Sequence, residues 1–200
     1  MNRRYDVLSP QLAPYAPVLG GADEDDTVMS TRTATGLLLA PLLAISTSTS
    51  APAKDFSEIL ERQGYRFTVQ GTDAGSINTL RITVRGGRMG SRTFRQEIDG
   101  RVVGAEAADL DGNGSPEVYV YVSSAGSGSY GSLVAYGVNA GRSATPITLP
   151  DLADDPVAGQ GYMGHDQFRV AGRTLVRMFP VYRDGDPQAQ PSGGHRRVQY

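Results

Sequence analysis

The 200-residue chain contains no cysteine, which excludes a disulfide framework, thiolate metal sites and cysteine nucleophiles. Histidine is nearly absent too: His165 and His195 are the two positions from which an imidazole could act as base or ligand. Neither sign of charge dominates, since 19 basic residues stand against 21 acidic ones. Such a balance supplies no overall field to recruit nucleic acid or a membrane surface, so nucleic acid is not expected as a partner. Long apolar runs are also scarce. The clearest, Leu37 to Ile45, contains Pro41 and falls short of the roughly 20 residues that cross a bilayer, so no permanent membrane anchor is expected.

What the chain does contain is glycine, 25 residues of it, together with Ser, Thr and short Val/Ile/Tyr-rich runs. That mixture favours an all-β domain over a helical bundle. Alternation predicts strands at Tyr65–Val69, Leu80–Val84, Thr93–Ile98, Glu117–Val122 and Leu133–Val138, with further ones at Pro146–Leu149, Phe168–Val170 and Leu175–Val181. Gly172, Asp184-Gly185-Asp186 and Ser192-Gly193-Gly194 are turn signals. Phe56–Gln63 and Leu152–Asp155 are the two places where short helix is expected. The expected architecture is a single antiparallel β-sandwich-like domain with few short helical turns.

From Met29 the chain reads as a secretory signal: Arg32 begins it, Leu37 to Ile45 form its apolar centre, and Ala51-Pro52-Ala53 is an A-x-A-like cleavage site. Residues 29–53 are therefore read as a signal peptide, with a periplasmic or secreted product after cleavage near Ala53. Residues 1–28, with Asp23, Glu24, Asp25 and Asp26, have the wrong composition for the start of a signal and are read as a non-native or disordered extension. The remaining domain, 54–200, carries 16 basic and 16 acidic residues. It ends in Arg197-Val198-Gln199-Tyr200, the alternation of a strand just starting. A truncated last strand is expected there, leaving a sheet edge that invites pairing with a second copy, hence a homodimer.

Three motifs carry candidate chemistry. The run Ser123 to Ser132 contains Gly126-x-Gly128-x-x-Gly131, with Asp151 further on, which has dinucleotide-binding spacing. That mechanism requires a helix after the third glycine, whereas Leu133–Val138 reads as strand. Neither Ser127 nor Ser129 meets the G-x-S-x-G pattern of a hydrolase elbow. A hairpin loop remains, in which Tyr130 is the lone bulky residue. The second motif, Asp109-x-Asp111-x-Asn113-Gly114, resembles the first half of a calcium loop, but its twelfth position is Val120 instead of glutamate. The same residues form Asx-turns without an ion. Third, His165-Asp166 between two strands reads as a hydrogen-bonded structural pair. Arg169, Arg173, Arg177 and Arg183 are expected to face solvent.

Several segments together resemble the periplasmic inhibitors of i-type (invertebrate-type) lysozyme: Glu97-Ile98-Asp99-Gly100, Gly104 to Asp111, Ser115 to Val122, Ser124 to Tyr136, Gly161 to Asp166, Leu175 to Tyr182 and Asp184 to Asp186. The resemblance runs from about Phe56 to Tyr200. It implies a β-sandwich-like protein, not an enzyme and without catalytic residues of its own, whose Ser-Gly-x-Tyr loop enters the lysozyme cleft. That loop falls on Ser127, Gly128, Ser129 and Tyr130. A glycosidase cleft carries paired carboxyl groups that receive sugar hydroxyls, and Ser127 and Tyr130 can present hydroxyls there. No cofactor is expected. The alternative is a calcium-binding β module for envelope interaction or adhesion, with Asp109, Asp111 and Asn113 as ligands. A hydrolase built on His165 or His195 comes third.

Overall fold

The computed structural model describes residues 4–8 and 54–200. Among them twelve strands are formed: β1 (Arg4–Leu8), β2 (Phe56–Arg62), β3 (Tyr65–Gly71), β4 (Ile77–Gly86), β5 (Gly90–Asp99), β6 (Arg101–Ala108), β7 (Glu117–Ser123), β8 (Gly131–Asn139), β9 (Ser143–Ile147), β10 (Gln167–Ala171), β11 (Thr174–Pro180) and β12 (His195–Gln199). One 3-10 turn, Gly87–Met89, links β4 to β5. The strands make three antiparallel four-stranded sheets in the orders β2-β3-β4-β5, β6-β7-β8-β9 and β1-β12-β11-β10.

The all-β expectation holds, and the sheets stack as three layers. β7 shows why. Its alternate residues Val118, Val120 and Val122 join Phe67, Leu80 and Ile82 of the first sheet in one buried cluster. Tyr119 and Tyr121, on the opposite face, join Leu175, Phe179 and Val198 of the third sheet in another. Both faces of the central sheet are thus covered, and β7 is buried from Glu117 through Val122. A strand buried on both sides reads as a continuous apolar run, which Val-Tyr-Val-Tyr-Val is.

Four segments differ from the sequence expectations. Phe56–Arg62 is a strand, not a helix: Phe56, Glu58 and Leu60 turn inward while Ser57, Ile59 and Glu61 face out. It closes on β3 through Gln63-Gly64, both at positive φ (49° and 78°), the geometry of a two-residue hairpin turn. Leu152–Asp155 forms turns, anchored by the Leu152 side chain in the second core cluster. Arg101–Ala108 is a strand whose Gly and Ala content hid it, and a register shift between Val102 and Gly104 leaves Val103 facing solvent. Arg4–Leu8, read as part of an extension outside the domain, lies antiparallel on β12 with Arg4 opposite Gln199 and Leu8 opposite His195. The edge expected to be open beside the last strand is therefore occupied. The signal-peptide reading of 29–53 lies outside the described residues.

Candidate inhibitory loop and its support

The β7–β8 connection, residues 124–130, stands at one end of the central sheet. Its base is closed by Ser124, whose N–H donates to the Tyr130 carbonyl at 2.9 Å and whose Oγ accepts the Tyr130 N–H at 2.9 Å. Its tip is a turn, with the Ser129 N–H donating to the Gly126 carbonyl at 2.9 Å and Ser129 in the left-handed region at φ 43°. Ser127 is exposed, Ser129 half-buried, and Tyr130 is 48% exposed. Gly128 is buried where a Cβ would meet the Tyr130 ring at 2.5 Å.

A second loop, 161–166, holds this one from behind. The His165 backbone N–H donates to the Gly128 carbonyl at 2.8 Å. Gly164, at φ 93°, packs so closely beneath that carbonyl that a Cβ would collide with it. Asp166 is the hub. Its carboxylate accepts the Gly131 N–H at 2.7 Å, the Tyr162 hydroxyl at 2.5 Å and the Arg177 Nε–H at 2.6 Å. Arg177 Nη2 donates onward to the Tyr162 oxygen at 2.7 Å and the Gly131 carbonyl at 3.3 Å. The Asp166 and Arg177 side chains are 0% and 10% exposed. Aromatic rings complete the support: Tyr130 stands edge-on to Tyr162 with centroids 5.6 Å apart, and Tyr162 edge-on to Phe179 at 4.8 Å.

Electrostatics follow from this burial. Desolvation alone would pull the Arg177 guanidinium down, but the Asp166 carboxylate outweighs it and the net shift is upward. Burial, then the bond to Asp166, pushes the Tyr162 hydroxyl up, which keeps it a donor. The reading of His165-Asp166 as a mutual pair is corrected: Asp166 is partnered by Arg177, and His165 contributes its backbone. Arg177 is likewise corrected from a solvent-facing charge to a buried one, whereas Arg169, Arg173 and Arg183 are exposed.

No protein-family model, curated protein or solved structure matches this chain.

The Asp109–Glu117 loop forms the expected Asx-turns. The Asn113 N–H donates to Asp111 Oδ1 at 3.0 Å, the Ser115 N–H to Asn113 Oδ1 at 2.7 Å, and the Gly114 N–H to Asp109 Oδ2 at 3.0 Å. Folding adds a residue that the twelve-residue loop pattern did not point to. Glu117 turns back so that one oxygen each from Asp109, Asp111 and Glu117 lie within 4.8 Å of one another. Asn113 is engaged in the turns. Glu117 is buried, its Oε2 accepting the Leu110 N–H at 2.9 Å and the Tyr119 hydroxyl at 3.2 Å. Burial, with the charges of Asp111 and Asp109, raises it above the ordinary carboxylate value despite those bonds. Asp109 Oδ1 is buried without a hydrogen-bond partner. The Arg173 guanidinium lies against Gly112 of this loop.

His165 and His195 both line one open cavity of about 290 Å³, beside Gln167, Met178, Tyr182 and Gln188. No serine, threonine or carboxylate lines that cavity.

Proposed function

We propose that this chain is a proteinaceous inhibitor of i-type lysozyme that acts in the periplasm or outside the cell and protects bacterial peptidoglycan. The observation that carries the reading is the loop 124–130, which offers the Ser127 hydroxyl at its tip and the half-exposed Tyr130 phenol beside its base, on a backbone pinned at Gly128 and Gly131. A thin, pre-ordered loop loses little conformational entropy on binding. A protruding tyrosine backed by other rings has the make-up of an interface anchor. In the lysozyme cleft the two hydroxyls would hydrogen-bond the catalytic carboxyl groups, and the loop would exclude the glycan.

The test is inhibition of a purified i-type lysozyme by the full chain, alongside Ser127→Ala/Tyr130→Ala. Loss of an anchor worth about 2 kcal/mol or more weakens inhibition at least about 30-fold, with the circular dichroism spectrum unchanged. A folded parent that leaves the lysozyme fully active sinks the proposal.

A second reading, a calcium-dependent β module for envelope interaction or adhesion, is favoured by the three converging carboxylates and the unpartnered Asp109 Oδ1. Selective binding to the native state must raise the melting temperature. A melting temperature identical in millimolar calcium and in chelator removes this reading.

A further inference from the structure

The outer face of the first sheet carries a charge arrangement that neither the core nor the inhibitory loop uses. Register sets Arg81 of β4 directly opposite Arg95 of β5, with Gln70 of β3 opposite Arg81 and Ser57 of β2 opposite Gln70. One polar row therefore crosses all four strands on a single face. Both arginines are exposed. Like charges placed directly opposite in an antiparallel pair destabilise it, so this juxtaposition works against folding unless something else uses it.

Another row of the same face, beyond the intervening Thr68, Thr83 and Thr93, provides the contrast. There Arg66 faces Arg85, and Glu61 supplies the counter-charge, its carboxylate 2.6 Å from Arg66 Nη2. At Arg81 and Arg95 no carboxylate comes within ion-pair distance among the described residues. Glu97, diagonal to Arg81 across the β4–β5 pair, bonds to neither arginine. The row opens into a cleft of about 250 Å³ that Phe56 and Thr79 also line. Asp55 borders the same cleft, its carboxylate accepting the Asp73 backbone N–H at 3.1 Å.

We propose that Arg81 and Arg95 form a binding site for a phosphate-class oxyanion carried on a hydroxylated ligand, a sugar phosphate being the simplest member. Two planar guanidinium groups match the oxyanion with paired, charge-assisted hydrogen bonds. Ser57, Gln70 and Thr79 supply donors and acceptors for hydroxyls. The anion takes the place at this row that Glu61 holds at the other. This site is independent of the lysozyme reading, because it lies on the first sheet's outer face and shares no residue with the 124–130 loop.

The experiment is an NMR titration of the full ¹⁵N-labelled chain in phosphate-free buffer with glucose 6-phosphate, with inorganic phosphate and glucose as separate arms. Glucose 6-phosphate shifts the amides of Gln70, Thr79, Arg81 and Arg95, inorganic phosphate shifts the same amides with weaker affinity, and glucose shifts none. Arg81→Gln/Arg95→Gln weakens glucose 6-phosphate binding at least about tenfold, and Arg81→Lys/Arg95→Lys also weakens it, because the fork is lost while the charge stays. Arg92→Gln, which sits opposite Val84 on the other face, leaves it unchanged. Without ligand, Arg95→Gln melts about 1–3 °C higher, because the like-charge contact is gone. Shifts centred elsewhere, equal binding by the Gln double variant, or a lower melting temperature for Arg95→Gln would each overturn the proposal.

Discussion

Replacing Asp166 by asparagine tests the support of the loop at its centre. The substitution keeps the size and one acceptor but removes the charge that partners Arg177, whose side chain is only 10% exposed. Breaking a buried pair from one side leaves an uncompensated charge and costs about 3–5 kcal/mol. The new amide also points N–H groups at a site whose neighbours, the Gly131 N–H, the Tyr162 hydroxyl and the Arg177 Nε–H, are all donors to Asp166. With a urea slope of about 2 kcal/mol per molar, the unfolding midpoint falls by about 2 M. The paired variant Asp166→Asn/Arg177→Met recovers part of that loss, with a coupling energy of about 2 kcal/mol, because no buried guanidinium remains unpaired. Under the proposed function, lysozyme inhibition measured where Asp166→Asn is still folded is expected to fall as well, since Gly131 and Tyr162 no longer hold the loop base. A cost below about 1 kcal/mol, or a coupling energy near zero, would show that the Asp166 charge does not carry this support.

Four further outcomes are expected. Gly164→Ala forces a Cβ at φ 93° into the Gly128 carbonyl, and it lowers stability by about 2 kcal/mol or more in urea melts while displacing the Gly128 and Ser129 amide resonances. Phe179→Ala empties the centre of the second core cluster and costs about 3–5 kcal/mol by the same measurement. Glu117 is raised in the folded state, so its protonated form is favoured by folding: its contribution is present below the ordinary carboxylate value and is lost as pH rises through the raised one. Wild type accordingly gains stability relative to Glu117→Gln as pH falls from 7 toward 5, and a gain in the opposite direction in paired urea titrations would refute this. Calcium, if it binds at Asp109, Asp111 and Glu117, raises the melting temperature of wild type but not of Glu117→Gln.

The strands most legible in the sequence were those whose two faces differ sharply or are both apolar, such as β4 and β7. β2 was misread because Ile59, an apolar side chain 58% exposed, fell on the solvent face and blurred the period of two. β6 escaped because Gly104, Ala105, Ala107 and Ala108 carry little strand preference, and it is held by its neighbour in the sheet. The loop itself could be picked out by composition, a single tyrosine among small residues. Its support could not, since Asp166 and Arg177 meet only because the 161–166 loop and β11 converge beneath it. Arg196 illustrates the same limit: among ordinary-looking charges it is buried, with Nη1 donating to the Val157, Ala158 and Gln160 carbonyls at 2.7–2.9 Å.

The pairing of β1 with β12 joins Arg4 to Gln199, positions 195 apart in the chain. Once β2 to β12 have folded, docking β1 closes only the 47-residue segment 9–55, an entropic cost of about 3 kcal/mol, and its partner β12 is the last strand to be synthesised. A backbone cut anywhere between β1 and β2 converts the strand from part of the fold into a dissociable ligand, held by ladder bonds and diluted from an intramolecular concentration to that of the bulk. Cleavage near Ala53 would then be a binding equilibrium as well as a processing step. A peptide spanning Arg4–Leu8, added in trans, becomes a titrant for the free edge of β12, and a neighbouring molecule's β1 competes for the same place.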